Sequence, residues 1–99
     1  MRKLVVTDRA RGDLQDISQY TERQWGSDRR RRYMGAIADC LARLLRNPSL
    51  GAPRDDIRPG CRSVVAGRHV VFYQQTNDRI AIIRILHERM DLHRHLSEE

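Results

Sequence analysis

The chain has 99 residues, 19 Lys+Arg against 13 Asp+Glu, and a formal charge of +6. That length predicts one domain over residues 1–99, and 39% hydrophobic with 32% charged residues excludes a disordered chain. The longest mostly apolar run, residues 80–86, is broken by Arg84 and falls far short of the ~20 residues of a membrane-spanning helix. Met1-Arg2-Lys3-Leu4 leads into a short apolar stretch with no leader-like segment, so the cytoplasm is the expected compartment. Cys40 and Cys61 form no CxxC and have no histidine at ligand spacing. They read as two ordinary thiols, and neither a disulfide framework nor a metal site is expected.

Residues 3–7 are rich in β-formers and predict a first strand. Thr7 or Asp8 then offers a cap for a first helix. Ala10, Leu14, Ile17, Thr21 and Trp25 share one helical face, and Asp13, Asp16, Gln19 and Arg23 take the other. Gly26 supplies a left-handed stop, and Ser27-Asp28 caps a second helix over residues 29–45. Its apolar stripe is Tyr33, Ile37, Cys40, Leu41, Leu44 and Leu45, and Asn47-Pro48 ends it. So short a joint between amphipathic helices predicts an antiparallel hairpin.

Beyond residues 47–59 the pattern turns from helical to alternating. Residues 61–65 and 69–75 predict strands around a tight turn at Ala66-Gly67, and residues 79–87 a third strand after Thr76-Asn77-Asp78. Ile80-Ala81-Ile82-Ile83 is apolar on both parities, as in a central strand buried on both faces. The tail, residues 88–99, is polar and predicts at most a short helix anchored by Met90, Leu92 and Leu96. The expected architecture is α+β: β-α-α-β-β-β, with the helical hairpin on one face of a small, mostly antiparallel sheet.

Nearly all the positive charge is arginine, since Lys3 is the one lysine. Arg29-Arg30-Arg31-Arg32 spans more than one helical turn and so points in several directions rather than forming one patch. Aromatics are 5% of the chain, and the sequence interleaves no pair of them with basic residues as single-strand stacking platforms do. A plain duplex-binding module is disfavoured, because no helix carries base-reading residues beside a turn signal. A ribonuclease acting through the 2′-hydroxyl would need an acid, a base and cations for the developing charge. His69 and His87 supply titratable groups, and Arg62 and Arg84 supply phosphate clamps. In a regular strand, however, Arg84 and His87 lie on opposite faces unless a bulge intervenes. The pairs Asp13/Asp16 and Asp55/Asp56 read as capping or solvated carboxylates.

Three segments together resemble the ParE branch of the RelE/ParE toxin superfamily. One is the helix start, residues 7–17 (TDRARGDLQDI). The second is Pro48-Ser49-Leu50-Gly51-Ala52-Pro53 followed by Pro59-Gly60-Cys61-Arg62-Ser63. The third is Tyr73 on a strand, then residues 82–91 (IIRILHERMD). They cover nearly the whole chain in the order that family has them. The resemblance implies the toxin of a bacterial type II toxin–antitoxin pair. Such a toxin is neutralised by a ParD-like antitoxin that carries a ribbon-helix-helix DNA-binding part. The ParE branch poisons DNA gyrase, whereas the RelE branch cuts messenger RNA on the ribosome.

Nuclease members tend to carry clustered lysines and arginines on the sheet and a C-terminal tyrosine. This chain has neither a second lysine nor a tyrosine after Asp91, so a gyrase-binding protein without enzymatic activity or cofactor is expected. Arg62, Arg84 and Arg89 with the C-terminal segment are the expected target contacts. Trp25, Leu41 and Leu45 are the expected antitoxin anchors. The alternative is a RelE-like ribosome-dependent endoribonuclease, with His87 or His69 as acid/base and Arg84 or Arg62 on the phosphate.

Overall fold

Thr7 ends the first strand and begins the first helix. In the computed structural model, which describes residues 2–90, β1 spans Lys3–Val6 and α1 spans Asp8–Trp25, with Thr7 as the N-cap. The Thr7 hydroxyl accepts from the Ala10 N–H at 3.2 Å, satisfying a donor that a helix start leaves open. Gly26 alone separates α1 from α2, which spans Ser27–Arg46. The joint is thus tighter than the sequence predicts. The Gly26 N–H donates to the Glu22 carbonyl and its own carbonyl accepts from Arg30. Gly26 sits at φ 89, ψ 173, a region essentially closed to other residues, and this lets the chain reverse in one step. Ser27 is therefore helical rather than a cap, and its hydroxyl donates to Glu22 Oε1 at 2.9 Å.

Four more strands follow: β2 (Ala52–Pro53), β3 (Cys61–Ala66), β4 (His69–Gln75) and β5 (Arg79–His87). The sheet order is β1-β5-β4-β3-β2; β1 runs parallel to β5 and the other neighbours are antiparallel. The fold is α+β, a helical hairpin on one face of a mostly antiparallel sheet, as the patterning predicts. The two-residue β2 is the strand the sequence does not announce. It is held by long-range contacts. The Tyr73 hydroxyl accepts from the Gly51 N–H at 2.8 Å and donates to the Pro48 carbonyl at 2.7 Å, and Arg62 donates to the Gly51 carbonyl at 2.6 Å. Residues 91–99, with the expected anchors Leu92 and Leu96, lie outside the described residues.

The helix-facing core joins Ala10, Ile17, Ile37, Cys40, Leu41 and Leu44 to Val71, Tyr73, Ile80, Ile82 and Ile85 of the sheet. Cys61, Phe72, Ile83 and Leu86 form a second cluster, with Ile57 and Val70 against it. β5 supplies both clusters, which accounts for its apolar residues on both parities. The two cysteines fall in different clusters and are free; burial pushes both thiols up and keeps them unreactive.

Along β5 the alternation slips. Helix-facing positions run Ile80, Ile82, then Ile85, and the other cluster takes Ile83 and Leu86. The ladder records the same slip: Phe72 pairs with Arg84 while Tyr73 pairs with Ile82. This is a β-bulge, and the N-cap Thr7 and Asp13 of α1 hold it. The Thr7 N–H donates to the Ile82 carbonyl at 3.2 Å. The Thr7 hydroxyl shares its proton between the carbonyls of Ile82 (2.8 Å) and Ile83 (3.1 Å). Asp13 accepts from the Ile85 N–H at 3.0 Å and takes the Arg84 guanidinium at 2.8 and 2.9 Å. Asp13 is thus no solvated carboxylate: it and Arg84 each keep 12% of their side-chain surface exposed.

Removing one partner of so buried a pair strands the other, at a cost of about 3–5 kcal/mol. Asp13→Ala is therefore expected to lower the urea unfolding free energy by about 3 kcal/mol or more, and Asp13→Asn, which still accepts from Ile85, by less. Equal stability of wild type and Asp13→Ala would remove the clamp from the account.

Candidate functional site

Where α1 meets α2, a cleft of about 500 Å³ opens against the β3–β4 turn and the end of β5. Tyr20, Thr21 and Trp25 of α1 form one wall, Arg29 and Tyr33 of α2 another, and Gly67, Arg68, His69, His87 and Arg89 close it. Only Thr21 of the α1 wall is buried, its hydroxyl donating to the Ile17 carbonyl at 2.7 Å. Trp25 continues the sequence stripe but overshoots the sheet: it is 61% exposed and Tyr20 57%.

The β3–β4 turn is built for close approach. Gly67 has φ 64 and Arg68 does not share the positive sign, as in a type II′ hairpin turn. A Cβ on Gly67 would meet the Tyr33 ring at 2.7 Å. The Tyr33 hydroxyl accepts from the Arg68 N–H at 2.9 Å and reaches His69 Nδ1 at 2.5 Å. Of the two acceptors in reach of its own proton, the Ala66 carbonyl at 3.5 Å and His69 Nδ1 at 2.5 Å, the nearer takes it, which leaves the neutral His69 ring with its proton on Nε2.

His87 pairs directly across from His69 in the ladder, and the two rings meet edge to face at 5.3 Å. His87 Nδ1 accepts from the Arg89 N–H at 3.1 Å, so it too carries its proton on Nε2. The β5 bulge has moved His87 onto the helix side, which a regular strand starting from Ile80 would not do. Burial pushes His69 below its ordinary value, and the His87 charge pushes the same way while Glu88 and Asp13 oppose both.

The other expected site residues separate. Arg62 spends its guanidinium on the carbonyls of Ser49 and Gly51, and Arg84 on Asp13. Neither faces the histidine pair as a phosphate clamp in this arrangement. Arg89 is exposed and lines the cleft. Leu41 is 7% exposed and belongs to the core, because it shares the buried stripe with Ile37 and Leu44. Leu45 is half-buried against that core. The arginine run disperses, as expected: Arg29 lies 4.7 Å over the Trp25 ring, Arg30 pairs with Glu22 and Arg31 with Asp28. Arg68 is beside His69 along the chain, whereas nothing local marks Tyr20 and Tyr33 as neighbours of the histidines. Among the described residues no three His, Cys, Asp or Glu side chains converge to hold a metal ion, and no helix is long and apolar enough to cross a membrane.

A histidine kept neutral by the fold makes stability pH-dependent. Between its lowered folded pKa and the ordinary value near 6.5, the unfolded chain binds more protons than the folded one, so stability falls as pH falls through that window. The thermal midpoint is expected to drop between about pH 7.5 and 5.5, and His69→Gln, which cannot titrate, to flatten the drop. An unchanged slope in that variant would assign the titration elsewhere.

Comparison with known proteins fits this geometry to a family. The family model described as "ParE toxin of type II toxin-antitoxin system, parDE" matches residues 4–92. "Toxin ParE1" of Mycobacterium tuberculosis is 35% identical over 95 residues, covering 95% of this chain and 97% of that protein. "Toxin ParE1" of Caulobacter vibrioides is 34% identical over 96 residues, covering 97% and 99%. "Toxin ParE" of Escherichia coli is 31% identical over 99 residues, covering 99% and 96%. A solved structure described as "Chromosomal ParDE TA system from P. aeruginosa" shares the fold at a TM-score of 0.77 and 22% identity, over 88% of this chain and 96% of that one. The chain belongs to the ParE toxin family of type II toxin–antitoxin systems.

Proposed function

We propose that this ParE-family toxin acts in the cytoplasm on DNA gyrase as a binding protein, not an enzyme, and that a ParD-like ribbon-helix-helix antitoxin neutralises it. The observation that carries this reading is the family match over residues 4–92. It is supported by the use of Arg62 and Arg84 inside the fold rather than beside the histidines. Such a toxin blocks replication by binding the gyrase–DNA cleavage state better than the resealed state, because only differential affinity shifts that equilibrium. Of Arg62, Arg84 and Arg89, only Arg89 is exposed, just past the end of β5, and it leads the target contact. Arg62 and Arg84 contribute by fixing the surface around it.

The antitoxin segment has a length requirement. Trp25 precedes the first turn of α2 and Leu45 lies in its last turn, so they stand roughly 27 Å apart at ~1.5 Å per residue. A segment that engages both runs the length of the hairpin, with Leu41 as part of the core beneath it.

A second reading, the RelE-like ribosome-dependent endoribonuclease, draws on one observation: His69 and His87 share a cleft with Arg68 and Arg89. The two readings part in a single experiment. Purified full-length chain is expected to inhibit supercoiling and to accumulate cleaved DNA with gyrase, leaving ribosome-bound message intact. Arg89→Ala is expected to weaken inhibition about tenfold, equivalent to ~1.4 kcal/mol. Gyrase left unaffected while message is cut would overturn the first reading in favour of the second.

A further inference from the structure

The fold brings exposed aromatic side chains and arginines from separate elements together in one place. Tyr20 and Trp25, the two most exposed aromatic side chains, stand in the same cleft as Arg29, Arg68 and Arg89. Neither is among the buried residues of α1, which are Ala10, Ile17 and Thr21. The Arg29 guanidinium already lies 4.7 Å over the Trp25 ring, a cation–π stack that a flat heterocycle can extend. The opposite wall offers donors. His69 and His87 both accept at Nδ1 and so both carry Nε2–H, and neither Nε2 makes a hydrogen bond among the described residues. Among the described residues no carboxylate lines the cleft; Glu88 is engaged by Arg68 at 3.1 Å. At about 500 Å³ the space falls in the range of small-ligand sites, ~300–1,000 Å³.

We propose that this cleft binds a nucleoside phosphate. The base stacks on the Trp25–Arg29 layer beside Tyr20, and the phosphate is received by Arg89 and the Nε2–H edges of His69 and His87. The arrangement combines what single-strand sites use, a sequence-tolerant stacking surface and cations along the backbone path. The ligand is either a free mononucleotide or an unpaired nucleotide of a DNA strand; the chemistry recognised is the same. The site does not depend on gyrase being the target, and no bond is broken in it.

Trp25 is the chain's single tryptophan, so its emission reports directly on the cleft. Full-length protein, purified free of any antitoxin, is titrated with dAMP, adenosine, inorganic phosphate, a short oligodeoxythymidylate and a glutamate-rich peptide. Equilibrium dialysis of dAMP serves as a second measurement. The expected result is saturable binding of dAMP, at least tenfold weaker binding of adenosine and of phosphate, and a loss of fivefold or more in Arg89→Ala and in Tyr20→Ala. Both variants change exposed side chains and are expected to keep the wild-type thermal midpoint. Tighter binding of the oligonucleotide than of dAMP places the nucleotide in a strand, and equal affinity makes it a free ligand; either supports the site. Four results would overturn it: no saturable binding in either measurement, phosphate alone as tight as dAMP, the acidic peptide tighter than dAMP, or both variants unaffected.

Discussion

The structure depends on how the exposed edge of β5 is closed after β1 ends. A four-residue strand can satisfy β5 only as far as Ile82, its last parallel partner. Beyond that point the backbone groups of a nearly buried strand would be left without partners, at a cost of roughly 1–3 kcal/mol each. Thr7 and Asp13 take over where β1 stops. Thr7 serves the carbonyls of Ile82 and Ile83, and Asp13 serves the Ile85 N–H together with the Arg84 side chain. One helix start thereby ends a strand, caps itself and clamps β5 through contacts more than seventy residues away in sequence.

The histidine cleft follows from the slip that this clamp holds. Without the bulge, residue parity would send His87 to the face away from the helices. With it, His87 lies opposite His69 on the helix side, and the Tyr33 hydroxyl from α2 completes the group. The tight joint at Gly26 does the rest, keeping the C-terminal end of α1 and the N-terminal end of α2 together so that Trp25 and Arg29 can stack. Position in the fold, rather than pattern along the chain, makes these residues one site.

Charge is distributed by the same logic. Of the sheet and tail arginines, Arg62 secures the loop that carries β2 and Arg84 compensates the Asp13 carboxylate. A guanidinium suits both tasks, since its planar fork donates to several acceptors at once. The abundance of arginine thus reflects internal architecture as well as a basic surface, and the part presented at the cleft narrows to Arg29, Arg68 and Arg89.

Elements with local signals are legible in the amino-acid order alone. Helical periodicity marked α1 and α2, β-branched alternation marked β3, β4 and β5, Thr7 and Gly26 marked the helix ends, and three short motifs marked the family. Local propensity and one-sided burial set these, and both are written in neighbouring residues. The three-dimensional fold adds β2, which exists because Tyr73 and Arg62 hold its loop. The fold likewise sets the partner of Asp13, the burial of Leu41 and the meeting of His69, His87 and Tyr33. Each of these rests on a register slip or on a hydrogen bond between distant segments, and periodicity within one element carries no record of either.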